Sequence, residues 1–300
     1  MASLSNGYME KWKVAVSAMG IPEEFYSNLN VRRLDGKSKS DYSLAVIFNP
    51  GRINRPTQNN GVVNCHMCRM ANEALNEPVK NLYPNSFQDM IVTPNGFPPS
   101  IGASMIIPIK EIPMYSTKNL TNLGENGENL ARLLKFTGDN GLFLYHQTFG
   151  AGATIPIHEH FHGTTLYKFQ ESIGEFGFDK ENLEPVKRNK GVYTMPNFPF
   201  AHLVFDKEDP LKIVNFIKNL NELPSPFETG EVPHTMSEGN KGILIVPTRI
   251  DVLRSMGSER APGYFFVGSL EDFNATTYES AMGFMKERFF SKEISLEKLI

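Results

Sequence analysis

The chain has 300 residues, of which 40% are hydrophobic and 21% charged, and its formal net charge is −3. The apolar fraction is large enough for a sizeable core, and the near-balanced charge argues against a general nucleic-acid or anionic-membrane binding protein. Two cysteines are too few for a disulfide framework, and no apolar run approaches the roughly 18 residues of a membrane span. The N-terminal residues lack the pattern of a signal peptide, so a soluble cytoplasmic protein is expected.

Helical and strand patterns are mixed along the chain. Apolar residues at helical spacing predict helices over residues 8–19, 65–75, 120–136, 211–220 and 278–290. Short apolar or β-branched runs between turn residues predict strands over residues 43–48, 88–93, 104–109, 142–147, 155–166 and 242–247. Because these elements do not follow strict βαβ alternation, the pattern favours an α+β fold over a doubly wound one. The charged, glycine-containing residues 169–190 are predicted to form an exposed excursion.

Three of the seven histidines fall within residues 158–162. Side chains alternate along a strand, so His158, His160 and His162 are predicted to share one face, with Glu159 and Phe161 on the other. Three imidazoles on one face can bind a metal, attack phosphorus or shuttle protons. The alternative is a solvated polar face of an edge strand, but the small residues that precede the histidines indicate a close backbone approach and favour a functional site.

Phosphorus chemistry fits this pattern. The backbone N–H groups of residues 150–154 can form an anion-binding concavity, to which Thr154 adds a hydroxyl. His160 can then attack the α-phosphorus of a nucleotide, and the phosphoramidate intermediate divides one transfer into two easier steps. His158 and His162 can orient that imidazole or donate a proton to the non-bridging oxygens as charge develops.

Metal binding in a β-barrel is the second chemistry that the histidines allow. Gly152, His158 and His160 fit the opening of the cupin pattern, and residues 191–196 with His202 loosely fit its second motif. However, the acid expected a few residues after His160 is missing. A metal-binding cupin also leaves the N-terminal half of the chain without a function.

Residues 149–162 resemble the active-site strand of the histidine-triad superfamily, in particular its branch of galactose-1-phosphate uridylyltransferase, diadenosine tetraphosphate phosphorylase and GDP-L-galactose phosphorylase. Further segments resemble this branch in the same order, namely residues 48–52, 65–68, 92–98, 195–205 and 241–247. The resemblance implies a HIT-like half-barrel of mostly antiparallel strands with flanking helices. It divides the chain into an N-terminal helical segment (1–40), a catalytic HIT-like half (41–168) and a second, non-catalytic half (169–300).

The resemblance also implies a function. It predicts nucleotidyl transfer from a nucleoside diphosphate-sugar or a dinucleoside polyphosphate through a covalent nucleotidyl-histidine, with His160 as nucleophile and His158 as the first triad residue. Gln147 stands where the family places a phosphate-contacting Asn, and His146 is the alternative. The other residues predicted to bind the nucleotide or its phosphates are Asn49, Arg52, Asn95, Phe97, Gly152 and Thr154. Arg offers a planar fork for phosphate and Phe a face for a base, although Phe97 can equally be turn packing.

One position departs from that branch. Its transferases and phosphorylases usually carry Gln at the third triad position, where this chain has His162. A third His is more typical of the hydrolase-like branches, in which water is the final acceptor. A nucleotidyltransferase or phosphorylase is therefore expected, with a nucleotide hydrolase as the alternative. No nucleic-acid or membrane partner is expected, and the relatives suggest a homodimer.

Cys65 and Cys68 form a CxxC pair, which supplies two of the four ligands of a structural zinc. The resemblance implies that His158 can complete such a site, and Glu111 and His66 are further candidates. The alternative is two buried reduced thiols, and the reaction itself requires no cofactor.

Two other histidines have structural expectations. His202, in an apolar segment, is expected to be a hydrogen-bonded core or edge residue. His234, beside Pro233, is expected to lie in a loop.

Overall fold

A computed structural model describes residues 4–52, 66–83, 90–109, 123–148, 159–224, 232–248 and 261–300. Its helices are α1 (Asn6–Ala18), α2 (Glu24–Ser27), α3 (His66–Asn76), α4 (Glu128–Asp139), α5 (Gln170–Ile173), α6 (Gly177–Lys180), α7 (Pro210–Asn219), α8 (Leu270–Ala275) and α9 (Tyr278–Arg288). Its strands are β1 (Asn30–Leu34), β2 (Leu44–Phe48), β3 (Met90–Pro94), β4 (Ser104–Pro108), β5 (Phe143–Gln147), β6 (Phe161–Thr164), β7 (Glu184–Pro185), β8 (Val192–Thr194), β9 (Leu203–Phe205), β10 (His234–Gly239), β11 (Gly242–Pro247) and β12 (Tyr264–Val267). None of the helices in these ranges has the length and apolar character needed to cross a membrane.

Nine strands form one antiparallel sheet in the order β3-β4-β6-β5-β10-β11-β9-β8-β7. The sheet contains a repeat. Outward from the central β5/β10 pair, one side runs β5-β6-β4-β3 and the other β10-β11-β9-β8, and α4 and α7 each lie between the second and third strands of their repeat in chain order. The α+β prediction is confirmed, and each side has the same ββαββ connectivity. The domain boundaries after residues 40 and 168 stay predictions.

The sheet has two differently covered faces. On the back face, one cross-strand row consists of Ile106, Phe161, His146, Met236 and Ile245. The apolar members of this row belong to the largest apolar core, which also includes buried residues of α1, α4 and α7. On the front face, the adjacent row is Met105, His162, Tyr145, Ser237 and Leu244. Its apolar members pack in smaller clusters with α3 and with the second sheet, β1-β2-β12.

Helix α1 shows how the sequence places an element on the back face. The Ser5 side chain accepts a hydrogen bond from the Tyr8 N–H and begins the helix. Tyr8 and Trp12, one turn apart, are both buried, so their rings lie on the same side of the helix. The Trp12 Nε1 donates to the Ala103 carbonyl at 2.9 Å, which fixes the helix just before β4. The helix predicted over residues 8–19 is confirmed, and its first turn begins two residues earlier, at Asn6.

The predicted exposed excursion over residues 169–190 is right only in part: many of its residues are exposed, but residues 176–179 are buried. Phe176 and Phe178 are buried in the clusters that fill the space next to the second sheet. Gly177, at φ +56°, lets the backbone pass close to Pro262, whose carbonyl accepts the Phe178 N–H at 3.1 Å. The charged residues of this segment suggested a solvated loop, but its aromatic residues determine where it packs.

Candidate functional site

His160 lies immediately before β6, and His162 is the second residue of that strand. Their ring centroids are 5.0 Å apart at an interplanar angle of 71°. His162 is on the front face by its pairing with Tyr145 and Met105, and the ring contact brings His160 to the same side. His160 is 6% exposed, whereas His162 is half-buried. Two imidazoles thus share one face, and the third predicted member, His158, lies outside the described residues.

The residues that alternate with these histidines point to the back face. Glu159 is 0% exposed, and its Oε1 lies 3.1 Å from Nε2 of His146, which is 2% exposed. Phe161 is buried and stacks on His146, with ring centroids 4.6 Å apart and planes inclined by 27°. The alternation along residues 159–162 therefore follows the strand period.

This alternation separates the two candidates for the phosphate-contacting residue. Gln147 is the last residue of β5 and pairs with Thr235 of β10. It stands two residues after Tyr145, so its side chain lies on the same front face as Tyr145 and the two imidazoles. His146 points to the back face, where it contacts Glu159 and Phe161. Gln147 is consequently the residue of the two that can reach a phosphate beside His160.

Asn49 and Asn95 hold loops with their side chains. The Asn49 Nδ2 donates to the Pro98 carbonyl at 3.0 Å, and its Oδ1 accepts the Gly51 N–H at 2.9 Å. The Asn95 Oδ1 accepts the Phe97 N–H at 2.9 Å. These hydrogen bonds join the segment after β2 to the loop after β3.

Phe97 is half-buried in that loop and stacks on Phe25, with ring centroids 6.5 Å apart. The loop follows Pro94. Pro94 pairs with Ser104 of β4, and Ser104 pairs with Gly163 of β6, so Pro94 and Gly163 lie at the same level of the sheet. Three residues separate that level from His160, a distance of about 10 Å along an extended chain. Arg52 ends a 3-10 helix (Pro50–Arg52), and Gly152 and Thr154 lie outside the described residues.

The metal predictions receive no support from the described part of the chain, in which no three His, Cys, Asp or Glu side chains are grouped so that they could hold an ion. Cys68 packs, half-buried, beside a methionine-rich cluster that includes Met67 and Met105. Cys65, His158 and Glu111 lie outside the described residues. The structural zinc therefore stays a prediction.

His202 is a hydrogen-bonded core residue, as expected. Its Nε2 accepts the Met195 N–H at 2.7 Å and its Nδ1 donates to the Phe200 carbonyl at 2.7 Å. Burial lowers the pKa of His202 to about 4. Because both ring nitrogens bond to the main chain, this residue is not a metal ligand. The cupin alternative is wrong at this residue and in the architecture, since the described strands form an open nine-stranded sheet with an internal repeat and a separate three-stranded sheet, not a barrel.

The loop prediction for His234 is also wrong. This residue begins β10, next to the centre of the sheet, and its ring lies on the back face, 6.4 Å from the ring of His146. Burial, with a smaller contribution from His146, lowers the pKa of His234 to about 3. The polar sequence of β10 gave no strand signal. The other feature that sequence reasoning missed is the His146–Glu159 contact, although the acidic Glu159 directly before His160 in the sequence was a clue to it.

No protein-family model matches the chain, and no curated protein matches it in sequence. Among solved structures, yeast Ap4A phosphorylase Apa2 in complex with Ap4A superposes with a TM-score of 0.60 at 14% identity, covering 96% of this chain and 97% of that one. The same yeast enzyme in complex with AMP gives a TM-score of 0.59 at 13% identity, covering 91% and 92%. The chain therefore has the HIT-like fold, as its resemblance to the histidine-triad superfamily predicted.

Proposed function

We propose that this chain is a nucleotidyltransferase or phosphorylase that acts on a dinucleoside polyphosphate or a nucleoside diphosphate-sugar through a covalent bond to His160. The main support is the pair of imidazoles, His160 and His162, on the front face of a HIT-like sheet. The solved structures that superpose along the chain's length hold Ap4A and AMP, and they favour a nucleotide with a polyphosphate chain.

In the first step, a ring nitrogen of His160 forms a bond to the α-phosphorus. The bond from that phosphorus to the bridging oxygen breaks, and the leaving phosphate departs with its electron pair. In the second step, an acceptor oxygen attacks the phosphorus and the N–P bond breaks, which releases the imidazole. The near-complete burial of His160 limits solvent competition and strengthens hydrogen bonds to the charge that develops.

Two groups suit the two ends of a nucleotide. The Gln147 amide lies on the same face as His160 and supplies an N–H donor for non-bridging oxygens. The loop that carries Phe97 begins at the level of Gly163, about 10 Å from the level of His160 along β6, and the half-buried Phe97 ring can stack on a base. We infer that the phosphates lie at His160 and the base toward the Asn95–Phe97 loop.

Trapping of the intermediate tests this proposal. The protein is mixed with Ap4A, Gp4G, Up4U, ADP-glucose or GDP-glucose without an acceptor, quenched in base and weighed intact by mass spectrometry. We expect one nucleoside monophosphate per chain with at least one of these compounds, stable in base and lost in acid as a phosphoramidate is. His160→Ala should carry none. Turnover of any of these compounds with no His160-dependent adduct would refute the covalent mechanism.

The hydrolase is the second candidate, and His162 is the observation that favours it. Its ring lies 5.0 Å from that of His160 and is half-buried, so it can contact the group that enters opposite the N–P bond. A neutral imidazole can accept a proton from water, whereas an amide at this position is a poor base.

His162→Gln tests whether this position selects the acceptor. We expect the ratio of phosphorolysis to hydrolysis to rise on the order of tenfold, which corresponds to one hydrogen bond that differs between the two transition states. The ratio is measured from products formed with and without orthophosphate, and His162→Asn serves as a shorter amide. An unchanged ratio in both variants would exclude this role for His162.

A further inference from the structure

We propose that His146 and Glu159 form a buried positioning pair that sets the direction in which the His160 imidazole points. This inference rests on the proposed function, because it concerns the presumed nucleophile. It does not make either residue catalytic, since both side chains lie on the back face and neither reaches the site on the front face.

His160 lies at the edge of the ladder between β5 and β6. The last ladder pair between these strands is His146 with Phe161, and β6 starts at Phe161. A side-chain contact at residue 159 therefore acts on the chain directly next to His160.

The contact at residue 159 has the properties of an anchor. Glu159 Oε1 lies 3.1 Å from His146 Nε2, and both side chains are within 2% of complete burial. Both polar groups are buried, so separating Glu159 from His146 removes a polar contact that water does not replace in a closed core. Successive residues of an extended segment point to opposite faces, and holding Glu159 on the back face directs His160 to the front.

His146 holds the other neighbour of His160 as well. Its ring stacks on Phe161 at a centroid distance of 4.6 Å, and its backbone pairs with Phe161 in the ladder. One residue of β5 thus contacts the side chains immediately before and after His160. A displacement of about 1 Å at a reacting group can reduce the rate about 100-fold, so these two contacts on either side of His160 affect the chemistry.

The experiment compares Glu159→Leu with Glu159→Gln and uses Glu238→Leu as the matched control. Gln keeps the length of Glu and a hydrogen-bonding group for His146, whereas Leu keeps only the volume. Glu238 is a buried back-face carboxylate that accepts hydrogen bonds from Lys207 and the Leu144 N–H, both at 2.7 Å, so its replacement also removes a buried carboxyl group and its polar contacts.

We expect Glu159→Leu to slow nucleotidyl-His160 formation about 100-fold in single-turnover experiments, with KM changed about twofold or less. Glu159→Gln should stay within about fivefold of the unsubstituted rate, since it keeps the length of Glu and a polar group beside His146. Glu238→Leu should lower the urea midpoint of unfolding but leave the rate within about twofold. If Glu238→Leu slows the reaction as much as Glu159→Leu does, or if Glu159→Leu has the normal rate, the inference is wrong.

Two further measurements keep the test decisive. If Glu159→Leu does not fold, the double variant His146→Leu/Glu159→Leu replaces the pair by apolar side chains, which leaves no buried polar group without its neighbour, and the same loss of rate is expected. Crystal structures provide a readout that does not depend on activity. In Glu159→Leu, the His160 ring should point in a different direction from that in the unsubstituted protein, whereas in Glu159→Gln its direction should be unchanged. An unmoved ring in both variants would overturn the inference. Failure of the proposed function would instead appear as the absence of a covalent nucleotide in the unsubstituted protein.

Discussion

His160→Gly is expected to lower the rate of nucleotidyl transfer roughly 10⁴-fold or more, because removal of a nucleophile eliminates both steps of the covalent pathway. The same variant is expected to regain transfer when a nucleoside 5′-phosphorimidazolide replaces the normal substrate. That compound carries its own imidazole on phosphorus, so it enters the cycle at the stage of the intermediate. The acceptor then attacks phosphorus and free imidazole departs.

The burial of His160 makes this rescue specific. Its side chain is 6% exposed, so Gly leaves a cavity on the front face in which the imidazole of the phosphorimidazolide fits beside Gln147 and His162. His160→Leu removes the same nucleophile but fills the space, and it serves as the matched control. Product formation is measured by chromatography with each acceptor. Rescue of His160→Leu to the same level as His160→Gly, or a His160→Gly protein that still turns over the natural substrate, would contradict the assigned role.

The local sequence predicted the parts of the fold in which one physical signal dominates. Strands β2, β4 and β11 are runs of apolar or β-branched residues, and α7 begins at Pro210 after the capping residue Asp209. Strand β10 was missed because its sequence, His234–Gly239, is mostly polar although every residue in it is buried. Its polar groups find partners far along the chain, as Glu238 does with the Leu144 N–H and Lys207. Such partners cannot be recognised from local sequence.

The candidate site divides in the same way. Strand alternation was sufficient to predict that His160 and His162 share a face, since that property depends only on the local chain direction. The hydrogen bonds of Asn49 to Pro98 and Gly51, by contrast, were not foreseen, because the Pro98 partner is distant in sequence; the predicted place of Asn49 near a nucleotide stays a prediction. The Glu159–His146 contact depends on the register of β5 against β6, and that register is a tertiary property.

The buried histidines lead to an expected loss of stability in acid. The pKa values of His202 and His234 are lowered from 6.5 to about 4 and about 3, mainly because burial disfavours the charged imidazole. As the pH falls below 6.5, the unfolded chain takes up protons at these residues and the folded chain does not, so the free energy of unfolding decreases. Between pH 7 and pH 5, each residue is expected to lower it by about 2 kcal/mol.

Urea unfolding at pH 7 and pH 5 measures this effect, and the variants His202→Gln and His234→Gln isolate it. Other groups contribute with the opposite sign, since burial raises the pKa of Asp179 and protonation of that carboxyl in the folded state favours folding in acid. The comparison therefore uses differences between proteins: each variant should lose about 2 kcal/mol less than the unsubstituted chain over this range. His202→Gln is also expected to be less stable at pH 7, because its amide has a donor and an acceptor but lacks the ring geometry with which His202 meets the Met195 N–H and the Phe200 carbonyl. If a variant keeps the full pH dependence, the histidine that it replaces is not held neutral in the folded protein. For His202, the ring would then be packed more loosely than its two backbone hydrogen bonds imply. For His234, it would be packed more loosely than its position beside His146 implies.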